Sequence, residues 1–273
     1  AIDHHLLRRV DERTVVLGNG CVCCSLRGDL AEELRDLLDR RERGEIPRFR
    51  RVVVETTGVA DPAPIVYTLV SEPVVKHHFT LDRVVATVDA VHGLRGPESL
   101  RQAAAADRLV VTKTDLAPAG ELTRRLAALN PAADILEASF GDLEPSALLG
   151  GEEMPPRELQ AAEHGHEEHG VRAHTLVFEE PLDWVAFGVW LTMLLAARGD
   201  DVLRVKGLLD VGGTGPLLLN GVQHVVHPPV HLAEWPDGDR RSRIVFIGRG
   251  LDGGALTASL SAFVRAGGAV PEI

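Results

Sequence analysis

The chain has 273 residues, 45% of them hydrophobic and 25% charged, with a formal net charge of −11. Such a chain builds a real core, as one large domain or two modest ones, and its acidity argues against nucleic acid or an anionic membrane surface as the main partner. The apolar run from Val185 to Ala197 is too short to cross a bilayer, and without a basic segment leading into an apolar one, no secretory leader is expected.

Arg13–Leu17 reads as a short buried strand closed by Gly18-Asn19-Gly20. A helix is expected from about Gly28 to Arg43, with Leu30, Leu34, Leu37 and Leu38 as its apolar stripe. Arg51–Glu55 is a second, almost wholly apolar strand, as parallel strands covered on both faces usually are. Segments 83–88 and 108–112 repeat that character, with helical stretches between and after them, including Gly120–Leu129. Alternating strand and helix predict a three-layer α/β domain with a mostly parallel sheet over residues 1–150. Residues 151–170, rich in Pro, Gly and acidic residues and holding His164, His166 and His169, read as an exposed linker. Over 171–273 strands are expected at 172–178, 202–211, 216–226 and 243–247, with helices at 182–197 and about 254–266. That grouping predicts a smaller α+β domain with helices on one face of its sheet. The tryptophans Trp184, Trp190 and Trp235 are expected in a core or interface.

Three stretches carry chemistry. Thr112-Lys113-Thr114-Asp115 follows an apolar strand and uses one of the chain's three lysines. A carboxylate at Asp115 can accept both the N1–H and the 2-amino group of guanine, and adenine offers no such pair. The stem of Lys113 would cover the base. Glu55-Thr56-Thr57-Gly58 stands at a strand's C-terminal end, where open α/β sheets bind ligands. A carboxylate at Glu55 suits a Mg²⁺ shell or an oriented water, and a glycine at Gly58 lets a backbone N–H approach a terminal phosphate. Asp61-Pro62 reads as N-cap and first turn of the next helix. Taken alone, either stretch also fits an ordinary loop after a strand.

Cys21, Cys23 and Cys24 form the third stretch and are the only cysteines in the chain. A disulfide framework would spread its cysteines, so a reducing, cytoplasmic setting is expected. Three thiols this close ionise together when a cation neutralises them, and Zn²⁺ does so well. They leave a fourth ligand to come from elsewhere, with His92 the best intramolecular choice. His164, His166 and His169 form either a loose site for Zn²⁺, Co²⁺ or Ni²⁺ or simply a solvated linker. His224, inside an expected strand, reads as packed or hydrogen-bonded.

In order and spacing, Gly20–Cys24, Glu55–Pro62, Thr87–Ala90 and Thr112–Leu116 resemble the CobW-type family of metal-handling GTPases. The resemblance continues through Arg204–Gly207, Gly221–His224 and Val245–Arg249. It implies a P-loop-type GTPase domain followed by a smaller CobW C-terminal domain, and GTP hydrolysis coupled to delivery of zinc or cobalt to a client metalloprotein. On that reading Glu55 and Gly58 serve catalysis, Thr112, Lys113 and Asp115 bind the nucleotide, and Cys21, Cys23, Cys24 and His92 hold the metal; the cofactors are GTP, Mg²⁺ and Zn²⁺ or Co²⁺. The family's Gly-x-x-x-x-Gly-Lys-[Ser/Thr] does not occur in the sequence. Since that loop cradles the phosphates, the expectation is that it precedes Ala1 in the complete protein, and that these 273 residues alone turn over no GTP. The alternative is a non-catalytic metal-binding or adaptor module on a degenerate nucleotide fold.

Overall fold

The computed structural model describes residues 25–149 and 169–267. Helix α1 (Ser25–Glu42) buries Leu30, Ala31, Leu34 and Leu38 at helical spacing, and the first three pack with Val75 beneath the next two helices. Gly44 at φ 72° ends it: Gly44 N–H donates to Arg41 and Glu45 N–H to Arg40, the double bond of a Schellman stop. The short helices α2 (Pro62–Ser71) and α3 (Pro73–His78) each begin with proline after an acidic N-cap, Asp61 and Glu72 respectively.

A three-stranded parallel sheet follows, in the order β1 (Val85–Asp89), β2 (Arg108–Thr112), β3 (Asp134–Glu137). Helix α4 (Gly96–Ala105) connects β1 to β2, and α5 (Gly120–Leu129) connects β2 to β3. Such crossovers are what parallel pairing requires. Asn130 is fully buried, and its side-chain amide donates to the carbonyls of Ala103, Ala104 and Ala106 at 2.8–3.1 Å, satisfying the end of α4. The short helix α6 (Pro145–Leu149) closes this half.

The expected strand at 51–55 does not form among the described residues. No ladder partner reaches it, Val53 is 66% exposed, and only Val52 packs against the α1–α2 cluster. Arg51 instead ties the segment down, by an ion pair to Asp82 at 3.0 Å and a hydrogen bond to the Leu149 carbonyl. An apolar run states what prefers burial, not which strand will pair with it. The expected strand at 13–17 lies outside the described residues, as does most of the 151–170 linker.

The second half is an antiparallel sheet in the order β4 (Val171–Phe178), β9 (Ser242–Arg249), β5 (Val202–Leu209), β6 (Leu217–Val222), β7 (Val225–Val226), with β8 (Val230–His231) also paired to β6. Helices α7 (Trp184–Arg198) and α8 (Gly253–Gly267) cover one face around Phe187, Trp190, Phe246 and Leu260. The other face packs Val171, Ala173, Leu203, Val245 and Ile247 against α4, α5 and β2. Every residue of β5 is therefore buried, although β5 belongs to an antiparallel sheet. The stretch 216–226 is a hairpin and not one strand: it reverses at Gln223 and His224, which lack the Asn-Gly or Asp-Gly signature of such turns. His224 accordingly sits exposed in the turn, bonded through Nε2 to Asp200 at 2.9 Å. Trp190 is core and its Nε1 donates to Ser259 at 2.9 Å, while Trp184 is exposed and stacks on Phe187.

Two cations of β5 cross the junction between the halves. Arg204 and Lys206 both reach Asp107 at the start of β2, Lys206 Nζ at 3.4 Å; Arg204 Nη1 also donates to the Ala105 carbonyl at 3.1 Å. Arg204 is only 1% exposed. Burial opposes the charge on Asp107, yet the two cations and the Val84 N–H hold it below the ordinary carboxylate range.

Candidate nucleotide and metal site

The C-terminal ends of β1, β2 and β3 bring one group of side chains together. Asp89 and Thr112 are register partners at the last rung of β1 and β2. Lys113 then takes φ 58°, a left-handed turn uncommon outside glycine, and its ammonium bonds to Asp89 Oδ2. The same oxygen faces His92 Nδ1 at 3.0 Å, while Oδ1 accepts the Val91 N–H at 2.7 Å. Lys113 first and His92 second hold the Asp89 carboxyl far below its usual range.

Asp115 is exposed in the turn after β2, and Ser139 beyond β3 donates to its Oδ1 at 2.8 Å. Thr114 fastens the two turns together, its hydroxyl donating to the Ala138 carbonyl at 3.3 Å. Leu116 and Phe140, next in sequence to these turns, are exposed, Phe140 at 95%.

Glu55 and Gly58 lie apart from this group, and among the described residues no hydrogen bond or ion pair joins the two. Glu55 is exposed at the end of segment 51–55, which pairs with no strand among the described residues. Gly58 is held from α4: Gln102 Nε2 donates to the Gly58 carbonyl at 3.1 Å and to the Ala60 carbonyl at 2.8 Å. A side chain at Gly58 would meet nothing within 4 Å, so packing among the described residues does not demand glycine there. Asp61 caps α2 by accepting the Ala63 N–H at 3.0 Å.

Cys21, Cys23 and Cys24 lie outside the described residues, as do His164 and His166; His169 is at the edge of the described chain. His92, with Nδ1 on a carboxylate, has the arrangement usual for a metal-ligating imidazole whose other nitrogen faces the ion. Sequence reasoning missed Ser139 and the role of Asp89. A short, half-buried β3 hid the first. The second needed the β1–β2 register, which puts Asp89 beside Thr112.

Residues 1–137 match the model of the CobW/HypB/UreG nucleotide-binding domain, and residues 171–264 match that of the cobalamin synthesis protein cobW C-terminal domain. The chain belongs to the CobW family. Among its relatives is the zinc chaperone YjiA of Escherichia coli strain K12, 33% identical over 264 residues, spanning 91% of this chain and 81% of that protein. A zinc chaperone CobW from Sinorhizobium sp is 26% identical over 93% of this chain and 81% of its own length. The zinc-regulated GTPase metalloprotein activator 1 of Schizosaccharomyces pombe is 26% identical over 88% and 69%. The crystal structure of Zn(II)-bound YjiA GTPase superposes with a TM-score of 0.69 at 30% identity, covering 86% of this CobW-family chain and 77% of the YjiA chain. The CobW pattern of a nucleotide-binding half and a C-terminal half agrees with the parallel and antiparallel sheets seen here.

Proposed function

We propose that this CobW-family chain is a GTP-hydrolysing metallochaperone that carries zinc, or cobalt, to a client metalloprotein in the cytoplasm. The relatives named zinc chaperones and zinc-regulated GTPase support the activity and the cargo. The single observation that carries guanine recognition is the Ser139–Asp115 bond at 2.8 Å. It fixes the carboxylate at one oxygen, so that a guanine base would meet it edge-on. Lys113, tethered to Asp89, covers the base face, and Thr112 ends the strand that carries them. Gly58, open at its Cα, faces the terminal phosphate with its N–H. Glu55 offers one exposed carboxylate, which suits Mg²⁺, an ion that keeps several waters and takes few protein ligands; bound there, Mg²⁺ would neutralise phosphate charge.

The cargo ion sits on Cys21, Cys23 and Cys24, with His92 completing a tetrahedral set of the kind zinc prefers. In domain terms, residues 1–150 carry the nucleotide, 151–170 link, and 171–273 form the CobW C-terminal unit. Titration of the full-length protein with GTP and ATP tests the reading. A strong preference for GTP, abolished by Asp115→Ala, is expected. Equal binding of the two nucleotides by the unmutated protein would overturn it.

A further inference from the structure

Gln223 opens the β6–β7 turn at φ 51°. Glycine or asparagine is the usual choice at such a position, since a longer side chain there costs conformational energy. What the glutamine gains is a reach across the domain junction. Its Nε2 donates to Asp61 Oδ2 at 3.3 Å. Asp61 is the N-cap of α2, three residues beyond Gly58. Arg101 Nε meets the same oxygen at 3.2 Å, and the neighbouring Gln102 holds the carbonyls of Gly58 and Ala60.

The turn Gly58–Asp61 is thus gripped from α4 and from the second domain together. Beneath that polar contact, Val222 and Val225 of the hairpin pack with Ala63 and Val66 of α2 and Ala105 of α4. The hairpin is itself firmly placed. Arg204 bonds both to Asp107 and to Asn220 on β6, the latter at 3.3 Å, so the antiparallel sheet is tied to the α4–β2 corner. A fixed sheet touching the cap of α2 limits where α2, and the turn leading into it, can rest.

We propose that Gln223 is a positioning residue for the Gly58 turn, supplied by the C-terminal domain. The second sheet thereby favours the placement of that turn which receives a terminal phosphate. The inference rests on the reading of Gly58 as the phosphate-facing residue. A contact that preorganises this turn contributes to binding of a triphosphate and not of a diphosphate, which has no group to meet Gly58. By linkage, a ligand of the second domain whose affinity depends on this contact biases the same turn.

The test measures affinities of the full-length protein for GDP and for a non-hydrolysable GTP analogue, alongside thermal midpoints. Gln223→Gly removes the amide yet suits the turn, so it should fold at least as stably as the parent. It is expected to bind the GTP analogue about 3- to 10-fold more weakly, the size of one hydrogen bond, with GDP affinity unchanged. Gln223→Glu, which sets a carboxylate against Asp61, should show the same loss. A Gln223→Gly protein that binds both nucleotides as the parent does, or loses both equally, overturns the inference without touching the assignment of Gly58. A Gly58→Val protein that binds the GTP analogue as tightly as the parent overturns the underlying reading as well.

Discussion

Ser139 Oγ and Asp115 Oδ1 are 2.8 Å apart, joining the turn after β3 to the turn after β2. The bond ties down a carboxylate that would otherwise rotate freely in solvent. It engages Oδ1, which on the proposed reading leaves Oδ2 for a base. A recognition group held in one orientation costs less to order when ligand arrives.

Ser139→Ala should therefore weaken GTP binding by about 1 kcal/mol, roughly 5-fold, the worth of one positioning hydrogen bond. Asp115→Ala should cost more, about 2–3 kcal/mol, because guanine's donors lose a charged acceptor. Fluorescence titration with a labelled GTP reads both. A Ser139→Ala protein that binds as tightly as the parent would show that Asp115 needs no orienting.

Asp89 ties Lys113 and His92 together through one oxygen. Asp89→Asn should loosen the lysine over the base and free the imidazole, lowering affinity for GTP and for zinc in the same variant. Isothermal titration with each ligand separately is the check. Loss of neither would mean that the triad only stabilises the turn.

The buried junction makes a demand on stability. Asp107→Asn keeps the shape but leaves Arg204 and Lys206 facing a neutral amide, and uncompensated buried charge of this kind costs about 3–5 kcal/mol. Urea unfolding at neutral pH should show a loss of that order; a change below about 0.5 kcal/mol, the range of an ordinary surface substitution, would contradict the junction's importance. Because Asp107 is held below the ordinary range, its contribution is complete above the unfolded carboxylate value near ~4. It fades as pH falls through the lower folded value.

His227 gives a second, separable acid effect. Burial, and then the positive charge of Arg204, push its imidazole down to about 4. Between about 6.5, the ordinary histidine value, and about 4, the unfolded chain takes up a proton that the folded one refuses. Stability should therefore drop as pH falls across that window. Thermal midpoints of the parent and of His227→Phe, followed from neutral pH to the bottom of the window, should diverge, with the variant losing less. Parallel curves would mean that His227 is not held neutral.

Much of the fold was legible because the apolar runs were decisive. Arg108–Thr112 and Gly120–Leu129 have the boundaries their patterns predict, and Asp61-Pro62 starts a helix as its capping chemistry requires. Two readings failed for different reasons. Val52–Val54 has a strand's composition but no described ladder to join, and the β6–β7 reversal was hidden because Gln223 occupies a turn position that Gly or Asn normally marks. In the candidate site, Lys113 and Asp115 are proposed from their own chemistry. Ser139, Asp89 and Gln223 could not be, since each matters through a partner distant in sequence that only the register of strands or the docking of domains brings near.

The claim that nucleotide and zinc share one coupled machine is tested most directly by zinc affinity in two nucleotide states. A competition titration of the full-length protein with a zinc chelator, once saturated with GDP and once with a non-hydrolysable GTP analogue, supplies the comparison. Coupling between two sites is typically worth about 1–3 kcal/mol, so zinc affinity should differ between the states by roughly 5- to 150-fold. Cys23→Ser should abolish tight binding in both, and joint replacement of His164, His166 and His169 should leave it. Equal affinities in the two states, or tight zinc that survives Cys23→Ser and disappears with the histidines, would contradict the account.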